Sequence, residues 1–120
     1  MSYLGKALGQ MGETLAANLL KKKGLKVLRR NFVTHFGEID ILARDGQSLV
    51  IVEVKTKTSG WKGAAIEMIT RTKQEKLILL AHELQMKYKT NNVRIDVVTV
   101  DEAADVPVVR YHKGVIEFNG

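Results

Sequence analysis

The sequence predicts an α/β domain, a mixed central sheet flanked by helices in the order α-β-β-β-α-β, and three observations carry that prediction. Two segments, about Tyr3–Lys23 and Glu67–Tyr88, repeat apolar residues every three or four positions, the period of a helix. Three strand-like segments follow the first of these, about Lys26–Val33, Glu38–Ala43 and Ser48–Lys55, and a fourth, Val93–Val100, follows the second. The third strand places Val50, Val52 and Val54 on one face and Leu49 and Ile51 on the other, so it is apolar on both and reads as the central strand of a covered sheet.

A chain of 120 residues is long enough for one domain with a real core and too short for two, so residues 1–120 are read as a single unit. Hydrophobic residues at 45% and charged ones at 27% exclude a disordered chain. The absence of cysteine excludes a disulfide framework and a thiolate zinc site. The first residues, MSYLGKALGQMGE, lack the apolar run of a signal peptide, and no stretch approaches the roughly 20 apolar residues of a membrane span. A cytoplasmic protein without a membrane partner is expected.

Each element has its own signals. In the first helix Leu4, Leu8, Met11, Leu15 and Leu19 form the apolar stripe, Lys21–Lys23 suit the C-terminal dipole, and Gly24 supplies the stop. Asp45-Gly46 between the second and third strands signals a hairpin. Thr58, Ser59 and Gly60 interrupt the chain before the second helix, whose buried stripe is Ile69, Leu77, Leu80, Leu84 and Tyr88. Asn91-Asn92 ends that helix, and Val106–His112 with Val115–Phe118 suggest a C-terminal hairpin around Gly114. Seven basic residues among the first 30, Lys6, Lys21, Lys22, Lys23, Lys26, Arg29 and Arg30, face only Glu13. They account for the whole net charge of +6. Such a cluster suits a polyanion, because Lys and Arg neutralise phosphates and release counterions; a solvated helix end is the plainer explanation.

The chemistry is suggested by charges that a sheet interior does not want: Asp40 within GEIDILA, and Glu53 and Lys55 at the end of LVIVEVK. A turn centred on Asp45-Gly46 makes paired positions sum to 91, so that Glu38 faces Glu53 and Asp40 faces Ile51. Strand side chains alternate with period 2, which puts Glu38, Asp40, Glu53 and Lys55 on one face, with Asp40 and Glu53 as diagonal neighbours about 7–8 Å apart. Two carboxylates so close repel unless a cation lies between them, and Mg²⁺ typically takes one or two carboxylates plus waters and phosphate oxygens. Lys55 would set an ammonium beside that ion, to orient or deprotonate a water or to stabilise charge on phosphorus. A lone EVK at a strand end would be a surface network; its coupling to an aspartate on the preceding strand favours a site.

An Asp followed across a hairpin by Glu-x-Lys resembles the PD-(D/E)XK nuclease signature of restriction endonucleases and archaeal Holliday junction resolvases. The chain resembles the YraN-like family of bacterial proteins more closely. The matching pieces are GQMGETLAANLLKKKG, RRNFVTHFGEIDILARD, LVIVEVKTKTS, KQEKLILLA and VRIDVV, in order over about residues 9–98. The resemblance implies a restriction-endonuclease-like fold and nucleic-acid binding, with Asp40, Glu53 and Lys55 as the Asp, acid and Lys of the motif. It also implies that Glu13, from GxxGExxA, adds a carboxylate to the metal site. The helical wheel alone would leave Glu13 solvated, at the border between the small-residue face (Gly9, Gly12, Ala16) and the polar face (Lys6, Gln10, Thr14). Ile39 stands where the motif has proline, and Lys57 where the family often has arginine, which would weaken a bidentate phosphate contact.

Further candidates are weaker. Lys73, on the apolar stripe of the second helix, either reaches the metal face or a phosphate, or snorkels past the core edge. Arg94 and Asp96 share a strand face and are placed to pair. Trp61 suits base stacking or packing. His35, His82 and His112 show no ligand spacing and read as incidental, and Gly5, Gly9 and Gly12 follow no strand, against a phosphate-cradling loop. The expectation is therefore a Mg²⁺- or Mn²⁺-dependent endonuclease that hydrolyses phosphodiester bonds in DNA, with structured or branched DNA among its substrates. Its metal residues would be Asp40, Glu53 and Glu13. Its phosphate contacts would be Lys21, Lys22, Lys23, Arg29, Arg30, Lys57 and Lys73, and homodimerisation stays open. The alternative is a non-catalytic nucleic-acid-binding protein on the same scaffold.

Overall fold

A computed structural model describes residues 2–58, 62–103 and 105–118, with side chains from residue 10 onward. The elements are α1 (Ser2–Lys22), β1 (Lys26–Val33), β2 (Glu38–Asp45), β3 (Ser48–Lys57), a 3₁₀ turn (Ala65–Met68), α2 (Arg71–Tyr88), β4 (Val93–Asp101) and β5 (Val108–Ile116). The five strands form one mixed sheet in the order β1-β2-β3-β4-β5. Pairing is antiparallel except between β3 and β4, which run parallel with α2 as the crossover. The third strand is central, as its two apolar faces require. No helix among the described residues is long and apolar enough to cross a membrane.

Each helix covers one face. On the α2 side Leu77, Leu80, Ala81 and Leu84 pack on Leu42, Ile51, Ile95 and Val97; on the α1 side Ala16, Ala17 and Leu20 pack on Ile41, Ala43, Val50, Val52, Val98 and Val100. The first helix ends as Gly24 indicates. That residue takes φ +92°, and the amides of Gly24 and Leu25 bond the carbonyls of Lys21 and Leu20 at 3.0 Å each, while Leu20 and Leu25 join the same core.

Several expectations are corrected. The leucine stripe is not the seat of α1: Met11 is 53% exposed, whereas Gly12, Ala16 and Leu20 are buried; the side chains of Leu4 and Leu8 lie outside the described set. The small side wins because it lets the helix backbone approach the sheet, to the point where a Cβ on Gly12 would sit 2.7 Å from Thr56 Oγ1. The second helix starts at Arg71 rather than Glu67, because Thr70 caps it by accepting the Lys73 amide at 3.1 Å, and Tyr88 is exposed at its far end. The C-terminal hairpin is instead one strand, β5, whose register on β4 shifts between Ile95 and Val97.

That shift is held by Asp96, which is fully buried. Its carboxylate accepts from Arg94 Nε (2.8 Å) and Nη2 (3.0 Å), from the Gly114 amide (2.8 Å) and from the Tyr111 hydroxyl. Arg94 also reaches Asp45 at 2.9 Å, tying β4 to the β2–β3 hairpin. The expected Arg94–Asp96 pair is thus the hub of a network, and burial together with Asp96 holds the Tyr111 hydroxyl above its ordinary range.

The seating of α1 is testable. Alanine is the better helix former by about 1 kcal/mol, but a methyl group at Gly12 overlaps Thr56, and overpacking of this kind costs about 1–3 kcal/mol. Gly12→Ala is expected to lower the melting temperature, and Thr56→Ala in the same chain to restore it. A single variant as stable as wild type would show that α1 does not sit this close.

Candidate active site at the parting of two strands

The β2–β3 hairpin turns on Gly46-Gln47, not Asp45-Gly46. Gly46 takes φ +59°, so Asp45 pairs with Ser48 and paired positions sum to 93. The sum stays odd, but each rung moves: Asp40 lies level with Glu53, and Glu38 does not face it. The described ladder runs from Asp45↔Ser48 to Ile41↔Val52 and stops there. In place of the next backbone bond, the Asp40 carboxylate accepts the Val54 amide at 2.9 Å.

Alternation breaks at this point. Ile39 packs on the α2 side and Ile41 on the α1 side although they are two residues apart. Opposite them on β1, Phe32 joins the α2-side core, while Arg30 reaches the Gln10 carbonyl of α1, at 3.4 Å. Asn31 between them has φ +51°. Both strands turn over at the Asn31–Asp40 level, so Asp40 lies edge-on in the gap between β2 and β3 rather than flat on one face. The β3–β4 ladder continues to Lys57↔Asp101 and keeps Glu53 fixed while β2 departs.

Asp40 and Glu53 meet at this gap, and Glu13 approaches it from the other side of the sheet. Glu53, on the α2 side, is 7% exposed; its Oε2 is 3.6 Å from Lys73 Nζ, and its buried Oε1 has no hydrogen-bond donor among the described residues. Burial, the charge of Asp40 and a hydrogen bond with Asp40 that requires a proton push the Glu53 carboxyl up to about 7, against a smaller opposing pull from Lys73. Glu13 comes from the α1 side, with its buried Oε1 also lacking a donor and Arg30 Nη2 4.0 Å away. Burial first, then Asp40, raises its carboxyl, while Arg30 and a hydrogen bond with Asn31 oppose. The tightly apposed pair is Asp40–Glu53, and the described residues contain no converged set of three metal-ligating side chains.

Lys55 follows Glu53 on the α2 face, is exposed, and has no ion pair among the described residues. Lys73 sits at the start of α2 and takes the role of Glu53's counter-ion rather than snorkelling free. Lys57 pairs with Asp101 at 3.7 Å. Arg29 lies over the Phe32 ring at 5.5 Å, and Arg30 faces Glu13. Lys21, Lys22 and Lys23 are exposed at the other end of the sheet. They precede β1, whose first residue pairs with Arg44 next to the hairpin turn, roughly four residues or about 13 Å of strand from the level of Glu53. Trp61, with Ser59 and Gly60, lies outside the described residues. Thr99 and Arg110, which carry no signal in the sequence, and His112, which reads there as incidental, line the same sheet face as Glu53; only the strand register reveals this.

With this geometry in view, comparison with known proteins settles kinship. The uncharacterised protein family UPF0102 matches residues 12–100. The chain belongs to that family. A UPF0102 protein of Thermodesulfovibrio yellowstonii is 45% identical over 96 residues, covering 79% of this chain and 86% of the relative. One of Geobacter metallireducens is 38% identical over 113 residues (92% and 93%), and one of an Arthrobacter species 43% over 115 residues (90% and 94%). The UPF0102 match spans Glu13, Asp40, Glu53 and Lys55 and stops at Val100, before β5.

The raised Glu53 carboxyl has a consequence for stability. Between an unfolded value near 4.5 and a folded value near 7 the folded chain binds the extra proton, so this contribution is complete at low pH and is lost as pH rises through about 7. Glu53→Gln is expected to flatten the fall in metal-free stability between pH 5 and 8. It should leave the variant more stable than wild type at pH 8, by an amount on the order of 2–3 kcal/mol. Parallel curves from urea unfolding would contradict a strained carboxylate pair.

Proposed function

We propose that this UPF0102 protein is a metal-dependent nuclease that hydrolyses phosphodiester bonds in DNA, including structured or branched DNA. The observation that carries the reading is the buried Glu53, with one oxygen lacking a donor among the described residues, pressed against Asp40 where two strands part. A buried carboxylate oxygen without a donor, beside a second carboxylate, fits a cation. Asp40 and Glu53 would hold Mg²⁺ or Mn²⁺, and Glu13 would join from the α1 side, directly or through water. Such an ion, when bound, supplies Lewis-acid charge and an acidified water.

The side chains divide the remaining work. The Val54 amide fixes one oxygen of Asp40 and leaves the other for a ligand. Lys55, exposed and without a carboxylate partner among the described residues, supplies an ammonium that orients the attacking water or meets the charge building on phosphorus. Lys73 balances Glu53 in the ion-free protein and becomes available to a phosphate oxygen once another cation takes its place. Hydrolysis forms a bond from water oxygen to phosphorus and breaks the phosphorus–oxygen bond to the sugar, which leaves with a proton. Lys21–Lys23 and Arg29 would contact nucleic acid away from the cut, adding affinity that falls with salt, and Arg30, beside Glu13, would meet a phosphate close to it.

The test is a panel of duplex, flap, junction and single-stranded DNA with Mg²⁺ and Mn²⁺. Wild type should cleave at least one substrate. Glu53→Gln and Lys55→Ala should each lose about 10²-fold or more, the scale of a single preorganised electrostatic group. Metal-free binding by Glu53→Gln should be unchanged or tighter, because a negative charge facing phosphate is gone. No cleavage by folded wild type across the panel would overturn the nuclease reading in favour of a binding protein.

A further inference from the structure

The face that carries Glu53 does not end at the carboxylates. It continues across β4 to β5 as a groove of about 540 Å³, lined by Lys57, Lys62, Thr99, Asp101, Arg110 and His112. The register shows how it joins the candidate site. Glu53 pairs with Val97 and Val97 with His112; Lys55 pairs with Thr99 and Thr99 with Arg110. Paired residues share a face, so Glu53 and His112 lie on the same side, two inter-strand spacings or about 10 Å apart at the backbone.

The groove is built for an anion. Among the described lining residues, Lys57, Lys62 and Arg110 stand against one carboxylate, Asp101, which Lys57 already engages. Lys62 and Arg110 are exposed and have no ion pair among the described residues. The floor is fixed: Thr99, only 5% exposed, places Oγ1 3.0 Å from His112 Nε2, which leaves the other ring nitrogen for a ligand. Burial, then the charges of Arg110 and Lys57, hold the imidazole below its ordinary range, so an anion in the groove would offset the two cations that repel the imidazolium.

We propose that this groove is a second phosphodiester subsite, which holds the nucleic-acid strand beside the phosphate at Asp40–Glu53 and leads it across the sheet toward the β5 edge. The assignment rests on the nucleic-acid reading above. Arg110 grips phosphate oxygens from the rim, Lys62 does so from the loop before the 3₁₀ turn, and His112 donates from the floor.

The test uses labelled single-stranded and duplex oligonucleotides in metal-free buffer, with binding followed by fluorescence anisotropy across a salt series. Lys62→Gln/Arg110→Gln removes two contacts from exposed positions. Its log–log salt slope should be shallower than wild type by about 1.4 on single strands and about 1.8 on duplex. In parallel, the His112 imidazole is titrated by NMR; oligonucleotide should move its midpoint upward, and inorganic phosphate at equal phosphate concentration should move it much less. If wild type binds but the double variant keeps the same slope and His112 does not respond, the groove lies off the strand's path and the proposal fails. An equal response to inorganic phosphate would make this a small-anion site and overturn the strand assignment. Wild type that binds no oligonucleotide would instead bring down the nucleic-acid reading itself.

Discussion

The candidate site of this protein depends on one replaced hydrogen bond. Where the β2–β3 ladder would continue past Ile41↔Val52, the Asp40 side chain takes the Val54 amide, and the strands part. Because β3 stays bonded to β4 as far as Lys57, Glu53 does not move away with β2. An aspartate in the seam and a glutamate beside it are therefore held together under cover of α2. Two carboxylates in such a place repel, and the proton near Glu53 at neutral pH is the ion-free protein's partial answer.

The two deeply buried acids of the sheet show what distinguishes structure from function. Asp96 receives four hydrogen bonds and locks β5, its bulge and Arg94 into place. A buried charge so fully satisfied is an architectural device, and removing one partner from such a network typically costs about 3–5 kcal/mol. Glu53 has one ammonium, Lys73 at 3.6 Å, and an oxygen with no donor among the described residues. The fold is able to satisfy a buried carboxylate and does so a few residues away on the neighbouring strand, which is why the unsatisfied one reads as a place for a ligand.

Much of this was legible in the residues. The five apolar positions of Leu49–Val54 around a single face change fixed β3 as the central strand, and the odd hairpin sum followed from any turn of two or four residues near Gly46. What failed was finer. The turn centre depends on which residue adopts positive φ, and Gly46 followed by Gln47 competes closely with Asp45-Gly46. The seat of α1 was misread because Leu15 and Leu19 outweigh Gly12 and Ala16 in hydrophobicity, whereas close approach rewards the smaller side chains. The reversal at Asn31 and Asp40 has no periodic signature, so the edge-on aspartate could not be read from alternation. His112 and Arg110 came together with Glu53 only through two successive strand pairings, which no spacing along the chain encodes.

The central claim, that Asp40 and Glu53 form a cation site whose strength is set by a shared proton, is tested most directly by calorimetric titration of Mg²⁺ and Mn²⁺ into wild type and Asp40→Asn at pH 8 and pH 6. With the Glu53 carboxyl near 7, about nine-tenths of it is protonated at pH 6, so wild type should bind about tenfold more weakly there than with the acid ionised, and should release close to one proton per ion. Asp40→Asn should bind weakly or not at all at either pH. Binding of equal strength at both pH values, or binding by Asp40→Asn as tight as wild type, would contradict the account.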